Sequence, residues 1–166
     1  MVLSNAKRPP LEMVYLDTNI VSFYFDQRPE FQLFRMITNE WWAKRSSDFY
    51  ICTSVVSRNE LGRSEYPHKG EALDFLSKIA FLPLNDQIVD IARFYIEHYL
   101  APKEEIEEFL GDALHTAICA FYKVDYLLTW NQRHLANVNK LRQLRIMNVR
   151  LGLPTPDIIT PEQLLY

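Results

Sequence analysis

Hydrophobic positions along the chain follow two patterns in turn, short continuous apolar runs and longer stretches at helical spacing. Met13 to Asp17 reads as a short buried strand closed by an acid, and a helix begins near Asn19 with Ile20, Val21, Phe23 and Tyr24. Phe31, Phe34, Ile37 and Trp41 recur at helical spacing, which predicts a second helix over about Glu30 to Lys44. Phe49 to Thr53 is the next strand, and Thr53 or Ser54 can cap a helix carrying Val56, Glu60 and Leu61. Glu71 to Ala80 is amphipathic, Phe81 to Leu84 is extended, and Asp86 to Leu100 is again helical. Pro102 suits the first turn of a short helix, with Glu104 and Glu105 near its positive end. Gly111 is expected to interrupt that helix, so that Asp112 opens a strongly apolar one running to about Tyr122. Asp125 to Trp130 forms a third strand, a helix lies within Leu135 to Asn148, and a last short strand and helical turn follow Pro156.

Continuous apolar strands alternating with helices predict an α/β fold, with a central, mostly parallel sheet of four to five strands in a three-layer α/β/α arrangement. At 166 residues the chain suits one domain, with residues 1–12 as a flexible tail. No apolar run approaches the roughly 18 residues of a membrane span, and the first ten residues lack the apolar core of a signal peptide. A cytoplasmic location is the expectation. Cys52 and Cys119 both sit in apolar segments, which favours buried, inert thiols.

The net charge of −3 speaks against coating nucleic acid by bulk attraction, but the charge is unevenly spread. Between Tyr126 and Pro156 stand Arg133, Lys140, Arg142, Arg145 and Arg150 and no acid, so the rest of the chain carries −8.

Sites in parallel sheets form beyond the carboxyl ends of the strands, and Asp17 stands at such an end. It can cap the following helix, or it can belong to a site that supplies donors or a cation. Glu60 lies one turn after Val56, beside an apolar stripe, so it is either a solvated neighbour of Arg58 or Arg63 or a site acid. Asp112 precedes ten residues without a formal charge and is therefore carried to the sheet rim by a buried helix, as an N-cap or as a third acid. His115 lies one turn further on the same side, satisfied within the core or lining the pocket. Three carboxylates gathered at one rim raise one another's pKa unless a cation holds them. Oxygen ligands select Mg²⁺ or Mn²⁺, and the His and Cys spacing of a zinc site is absent.

Four segments together make a resemblance specific: Tyr-Leu-Asp-Thr-Asn at 15–19, Ser-Val-Val-Ser-Arg-Asn-Glu-Leu at 54–61, Gly-Asp-Ala-Leu-His-Thr-Ala at 111–117 and Tyr-Leu-Leu-Thr-Trp-Asn-Gln-Arg-His-Leu-Ala-Asn at 126–137. In this order they resemble the PIN-domain family, and in particular the VapC-type toxins of toxin–antitoxin pairs. The resemblance implies that Asp17, Glu60 and Asp112 are metal-binding catalytic acids, with Asn19 and Thr129 lining the same pocket. Family members commonly add a fourth acid after the strand that ends here in Leu-Leu-Thr, where this chain has Asn131. An amide oxygen can ligate but adds no charge, so a second metal is expected to bind weakly or not at all. Asp125, the nearest other acid, precedes its strand and is expected at the opposite edge of the sheet.

The activity so implied is endoribonucleolytic hydrolysis of RNA phosphodiester bonds, with Mg²⁺ or Mn²⁺ acidifying the attacking water. Asn131 or His115 orients water or phosphate, and Arg133, His134, Lys140, Arg142 and Arg145 track the RNA backbone unless they form only a solvated helix face. Trp130 can stack a base or belong to the core. A homodimer and a small cognate antitoxin are the implied partners. Two other readings use the same acids: a PIN-like binding module without catalysis, and an aspartyl phosphatase, whose Asp-x-Asp pattern is broken here by Asn19.

Overall fold

A computed structural model of the chain describes residues 11–98, 106–131 and 138–166. Most of the expected N-terminal tail, the short helix expected around Pro102 with Glu104 and Glu105, and the candidate RNA contacts Arg133 and His134 lie outside these residues. Among the described residues, five strands alternate with helices. β1 (Met13–Leu16) leads into α1 (Thr18–Phe25), α2 (Gln32–Arg45) into β2 (Tyr50–Ser54), and α3 (Val55–Arg63) and α4 (Lys69–Ser77) into β3 (Ala80–Leu82). α5 (Asp86–His98), α6 (Ile106–Phe121), β4 (Tyr126–Leu128), α7 (Val138–Leu151) and β5 (Asp157–Ile159) complete the order. No described helix is long and apolar enough to cross a membrane.

The strands form one sheet in the order β3-β2-β1-β4-β5, and all four pairs are parallel. β1 is central, with Tyr15 opposite Cys52 on one side and Leu127 on the other. Because successive side chains of a strand point to opposite faces, β1 divides its residues between two cores. Tyr15, Cys52, Leu127 and Ile158 pack with Ile88 and Ala92 of α5, Ile118 of α6 and Leu144 of α7. Val14, Leu16 and Leu128 pack on the other face with Ile20, Trp41, Leu61 and Leu76 from α1 to α4. Both faces are therefore covered, the condition under which parallel sheets are stable and their strands are apolar throughout. Leu127 is fully buried in the first core. Leu127→Ala is expected to cost about 2–5 kcal/mol in a denaturant titration, with an unchanged fold by circular dichroism; a loss near zero would contradict this packing.

The structure corrects several boundaries. β4 ends at Leu128, so Thr129 and Trp130 lie past the strand, and α7, described from Val138, runs on past Asn148 to Leu151. The larger correction concerns Gly111, which breaks no helix: α6 runs through it, and Asp112 lies inside the helix instead of at its start. A Cβ at Gly111 would collide with the Glu60 carboxylate. The residue is small because another helix's acid occupies the space, and a glycine's helix penalty of about 1 kcal/mol is small enough for tertiary packing to override. Asp125 is, as expected, at the far edge of the sheet, where its Oδ2 accepts the Met13 backbone N–H at 2.8 Å. Both thiols are buried, and burial pushes Cys52 up to about 12 and Cys119 well above its ordinary value. Neither is available as a thiolate.

Candidate metal centre

Parallel strands place their carboxyl ends at one edge, and there β1 delivers Asp17, β2 delivers α3 with Glu60, and β4 delivers Thr129. The edge is tied together by the backbone. Asp17 N–H donates to the Leu128 carbonyl at 3.1 Å and Thr129 N–H to that of Ile159 at 2.9 Å. The Leu16 carbonyl accepts the hydroxyls of Thr53 and Ser57. Ser54 caps α3, as one of the two expected candidates, by accepting the Val56 N–H at 3.2 Å.

Asp17 occupies the N-cap position of α1, yet its side chain makes no capping hydrogen bond. The carboxylate turns to the sheet edge instead, where it is 5% exposed. Its Oδ2 accepts from the Thr129 hydroxyl at 2.6 Å and from the Asn19 amide at 2.8 Å. Asn19 is fixed in turn, since its Oδ1 accepts the Trp130 backbone N–H at 3.0 Å. Asn19 and Thr129 thus hold Asp17 as a pair. Trp130 belongs to the packing: its ring meets Phe34 edge-on at 4.9 Å and its Nε1 donates to Thr38 at 2.9 Å.

Glu60 stays partly exposed and feels the charge of Arg63, but its carboxylate turns into the same edge. Its Oε2 accepts from the Thr18 hydroxyl and lies 3.1 Å from His115 Nε2. Burial pushes its carboxyl up, but hydrogen bonds from His115 and Thr18 and the His115 charge outweigh this and leave it below its ordinary value. His115 is fully buried, with Nε2 also 3.4 Å from Asp17 Oδ1. Its Nδ1 is 2.7 Å from the Tyr15 hydroxyl, which is itself 2.7 Å from Ser54 Oγ. Burial opposes a charged imidazole, but the charges of Asp17, Glu60 and Asp112 prevail and raise the His115 pKa. The two readings of His115 merge: it is a satisfied core histidine, and its satisfaction is supplied by the acids.

Asp112 is the least compensated member. Burial, followed by the negative charge of Asp17, pushes its carboxyl up to about 7, and the charges of His115 and Lys140 only partly offset this. Asn131 Nδ2 lies 3.4 Å from Asp112 Oδ2, which brings this predicted residue to the acids as well. Of the predicted basic residues, Lys140 is half-buried and electrostatically coupled to Asp112, whereas Arg142 and Arg145 are exposed on α7. Sequence reasoning missed Thr18, Tyr15 and Ser54. Thr18 stands inside the Asp-Thr-Asn segment and was detectable by position, but a tyrosine within an apolar strand carries no signal that its hydroxyl reaches a histidine 100 positions away.

Among the described residues, ligand-type atoms of Asp17, Glu60 and His115 lie within 4.8 Å of one another. Two oxygens and a nitrogen at that separation, beside a carboxyl whose charge is poorly compensated, suit a divalent cation.

No protein-family model matches the chain, and no curated protein matches it in sequence. Its fold, however, is found among solved structures. A chain of a toxin–antitoxin complex from Klebsiella pneumoniae aligns over 89% of this chain and 97% of its own length, with a TM-score of 0.53 and 16% identity. The two chains share a fold. A chain of VapBC2 from Rickettsia felis, bound to a DNA fragment from their promoter, aligns over 89% and 98% at 16% identity with a TM-score of 0.49.

Proposed function

We propose that this chain is a single-domain, PIN-type, metal-dependent endoribonuclease, the toxin of a toxin–antitoxin pair, with Asp17, Glu60 and Asp112 as its principal acids. The observation that carries the reading is the convergence of acids from β1, α3 and α6 at one sheet edge, although 43 and 52 residues of chain separate them in turn. The fold shared with a toxin–antitoxin protein supports it. When bound, Mg²⁺ or Mn²⁺ supplies Lewis acidity toward water and phosphate.

The chain's own residues do the rest. Thr129 and Asn19 hold Asp17 in one orientation, and Thr18 does the same for Glu60. Asn131, next to Asp112, orients water or the phosphate. Lys140 lies near enough to draw the phosphate toward the acids, and Arg142 and Arg145 extend the positive surface along α7 for the RNA backbone. Two copies forming a dimer, and a small antitoxin closing the acidic edge, complete this reading.

A mixed pool of structured RNAs incubated with Mg²⁺ or Mn²⁺, against a chelator control, tests it. Cleavage that needs the ion and yields a consistent end sequence is the expected result. Absence of ion-dependent cleavage favours instead a PIN-like binding module, the reading suggested by Asn131 in place of a fourth acid. Gly111→Ala is a finer probe of the same geometry. The added methyl displaces the Glu60 carboxylate while improving helix propensity. The melting temperature is therefore expected to stay within a few degrees of the parent while cleavage falls about 10-fold or more, as when groups that orient metal ligands are disturbed. Unchanged cleavage would show that Glu60 need not sit against Gly111.

A further inference from the structure

The compact ligand set at the sheet edge is not made of carboxylates alone, since its third member is an imidazole. We propose that His115 Nε2 is a direct ligand of the metal, so that the site is a mixed nitrogen–oxygen one that selects first-row transition ions over Mg²⁺. The inference rests on the metal-site reading above and concerns which atoms bind and which ion they prefer.

Three features of His115 carry it. The first is direction: a fully buried imidazole sends Nε2 between two carboxylates, 3.1 Å from Glu60 Oε2 and 3.4 Å from Asp17 Oδ1. A cation meeting both acids would meet that nitrogen as well. The second is support. A ligating histidine needs its other nitrogen engaged, because that bond fixes ring orientation and tautomer. His115 Nδ1 has the Tyr15 hydroxyl at 2.7 Å, and Tyr15 is held on the central strand with its oxygen 2.7 Å from Ser54 Oγ. In the metal-free protein Nε2–H donates to Glu60; a cation would displace that proton, and with Nδ1–H still donating to Tyr15, whose hydroxyl donates to Ser54, the Nε2 lone pair would face the ion. The third is placement. Asp112 and His115 are one turn apart on α6, so one helix face offers an oxygen and a nitrogen to the same edge.

The consequence is a different metal preference from that of an all-oxygen site. Imidazole suits Mn²⁺ less than the later ions, and Mg²⁺ least, while Co²⁺ and Zn²⁺ accept nitrogen and carboxylate together. The expectation of Mg²⁺ or Mn²⁺ from the sequence rested on carboxylate oxygens alone. An imidazole joined to the carboxylates moves the site along the divalent series.

The test uses the metal-free full-length protein titrated separately with Co²⁺ and Mg²⁺ by calorimetry. Pulsed electron paramagnetic resonance of the Mn²⁺-loaded protein provides a second readout, through directly bonded nitrogen. The parent protein is expected to show nitrogen coupling to Mn²⁺ and to prefer Co²⁺. His115→Asn is expected to lose the coupling and to bind Co²⁺ about 10- to 100-fold more weakly, a loss of the size seen when a metal site loses a supporting group, while Mg²⁺ binding changes little. Tyr15→Phe keeps the nitrogen coupling but weakens Co²⁺ binding, and it stands in if His115→Asn does not fold. Bound Mn²⁺ without nitrogen coupling in the parent would overturn the proposal, as would an unchanged Co²⁺ preference in both variants. Asp17→Asn separates the two levels. If it abolishes binding while His115 variants have no effect, only the ligation by His115 fails; if it leaves binding intact, the metal-site reading itself is wrong.

Discussion

Asp17→Asn is expected to abolish ion-dependent RNA cleavage, with a loss beyond the roughly 10–100-fold that follows removal of a metal site's supporting groups. Asp17 is the acid with the most fixed geometry, held through one oxygen by Thr129 and Asn19 and close to His115 through the other. The amide preserves shape but removes the charge that attracts a cation and introduces an N–H where donors already crowd. Stability should move differently from activity. Asp17 makes no capping bond whose loss would weaken α1, and its charge is the main neighbouring cause of the unfavourable ionisation of Asp112. The metal-free variant is thus expected to melt no more than a few degrees from the parent. Expressed without an antitoxin, the parent should arrest growth and the variant should not. Full cleavage or full toxicity in Asp17→Asn would remove this site from the mechanism; a variant that fails to fold would instead show that the carboxylate is structural.

The second large effect is a dependence of metal-free stability on pH. Asp112 has a folded pKa raised to about 7 against an ordinary 3.8, so the folded state holds a proton that the unfolded chain releases. Stability from that proton is present below the ordinary value and is lost as pH rises toward about 7. His115 acts in the same direction: its raised pKa adds stability below its ordinary 6.5 that is lost as pH climbs through the folded value. Glu60, held below its ordinary value, works the other way, but only at the acid end. With chelator present, the protein is expected to be less stable at about pH 8 than at about pH 5, by on the order of 2 kcal/mol. Saturating Mn²⁺ should recover most of this at the higher pH and less at the lower one, because binding needs deprotonated ligands. Thermal melts across that range, with and without the ion, check it. Asp112→Asn should flatten the chelator curve, and a parent protein whose melting temperature rises toward about pH 8 in chelator would contradict the assigned electrostatics.

How much of this was legible beforehand differs from residue to residue. Asp17 could be found because an acid directly after Val-Tyr-Leu ends an apolar strand, and strand ends in parallel sheets are where sites form. Asn19 and Thr129 came with the resemblance and proved to be its two donors. Gly111 was misread as a helix breaker because local propensity is a weak prior, and the collision that demands a glycine is with Glu60, 51 positions earlier. Asp112 shifted with it, from the start of a helix to its interior, without leaving the edge.

Local patterning alone determined the alternation of strands and helices, the apolar character of strands covered on both faces, and the acid at the end of the first strand. These depend on neighbours within a few positions, and periodicity records them. The tertiary structure decided what lies across the edge: that Asp17 turns away from the helix it precedes, that Glu60 fills the space left by Gly111, and that His115 joins the acids with Tyr15 behind it. Those relations join residues 51 to 112 positions apart. No local rule encodes them, because they arise only when parallel pairing brings the ends of β1, β2 and β4 to one edge.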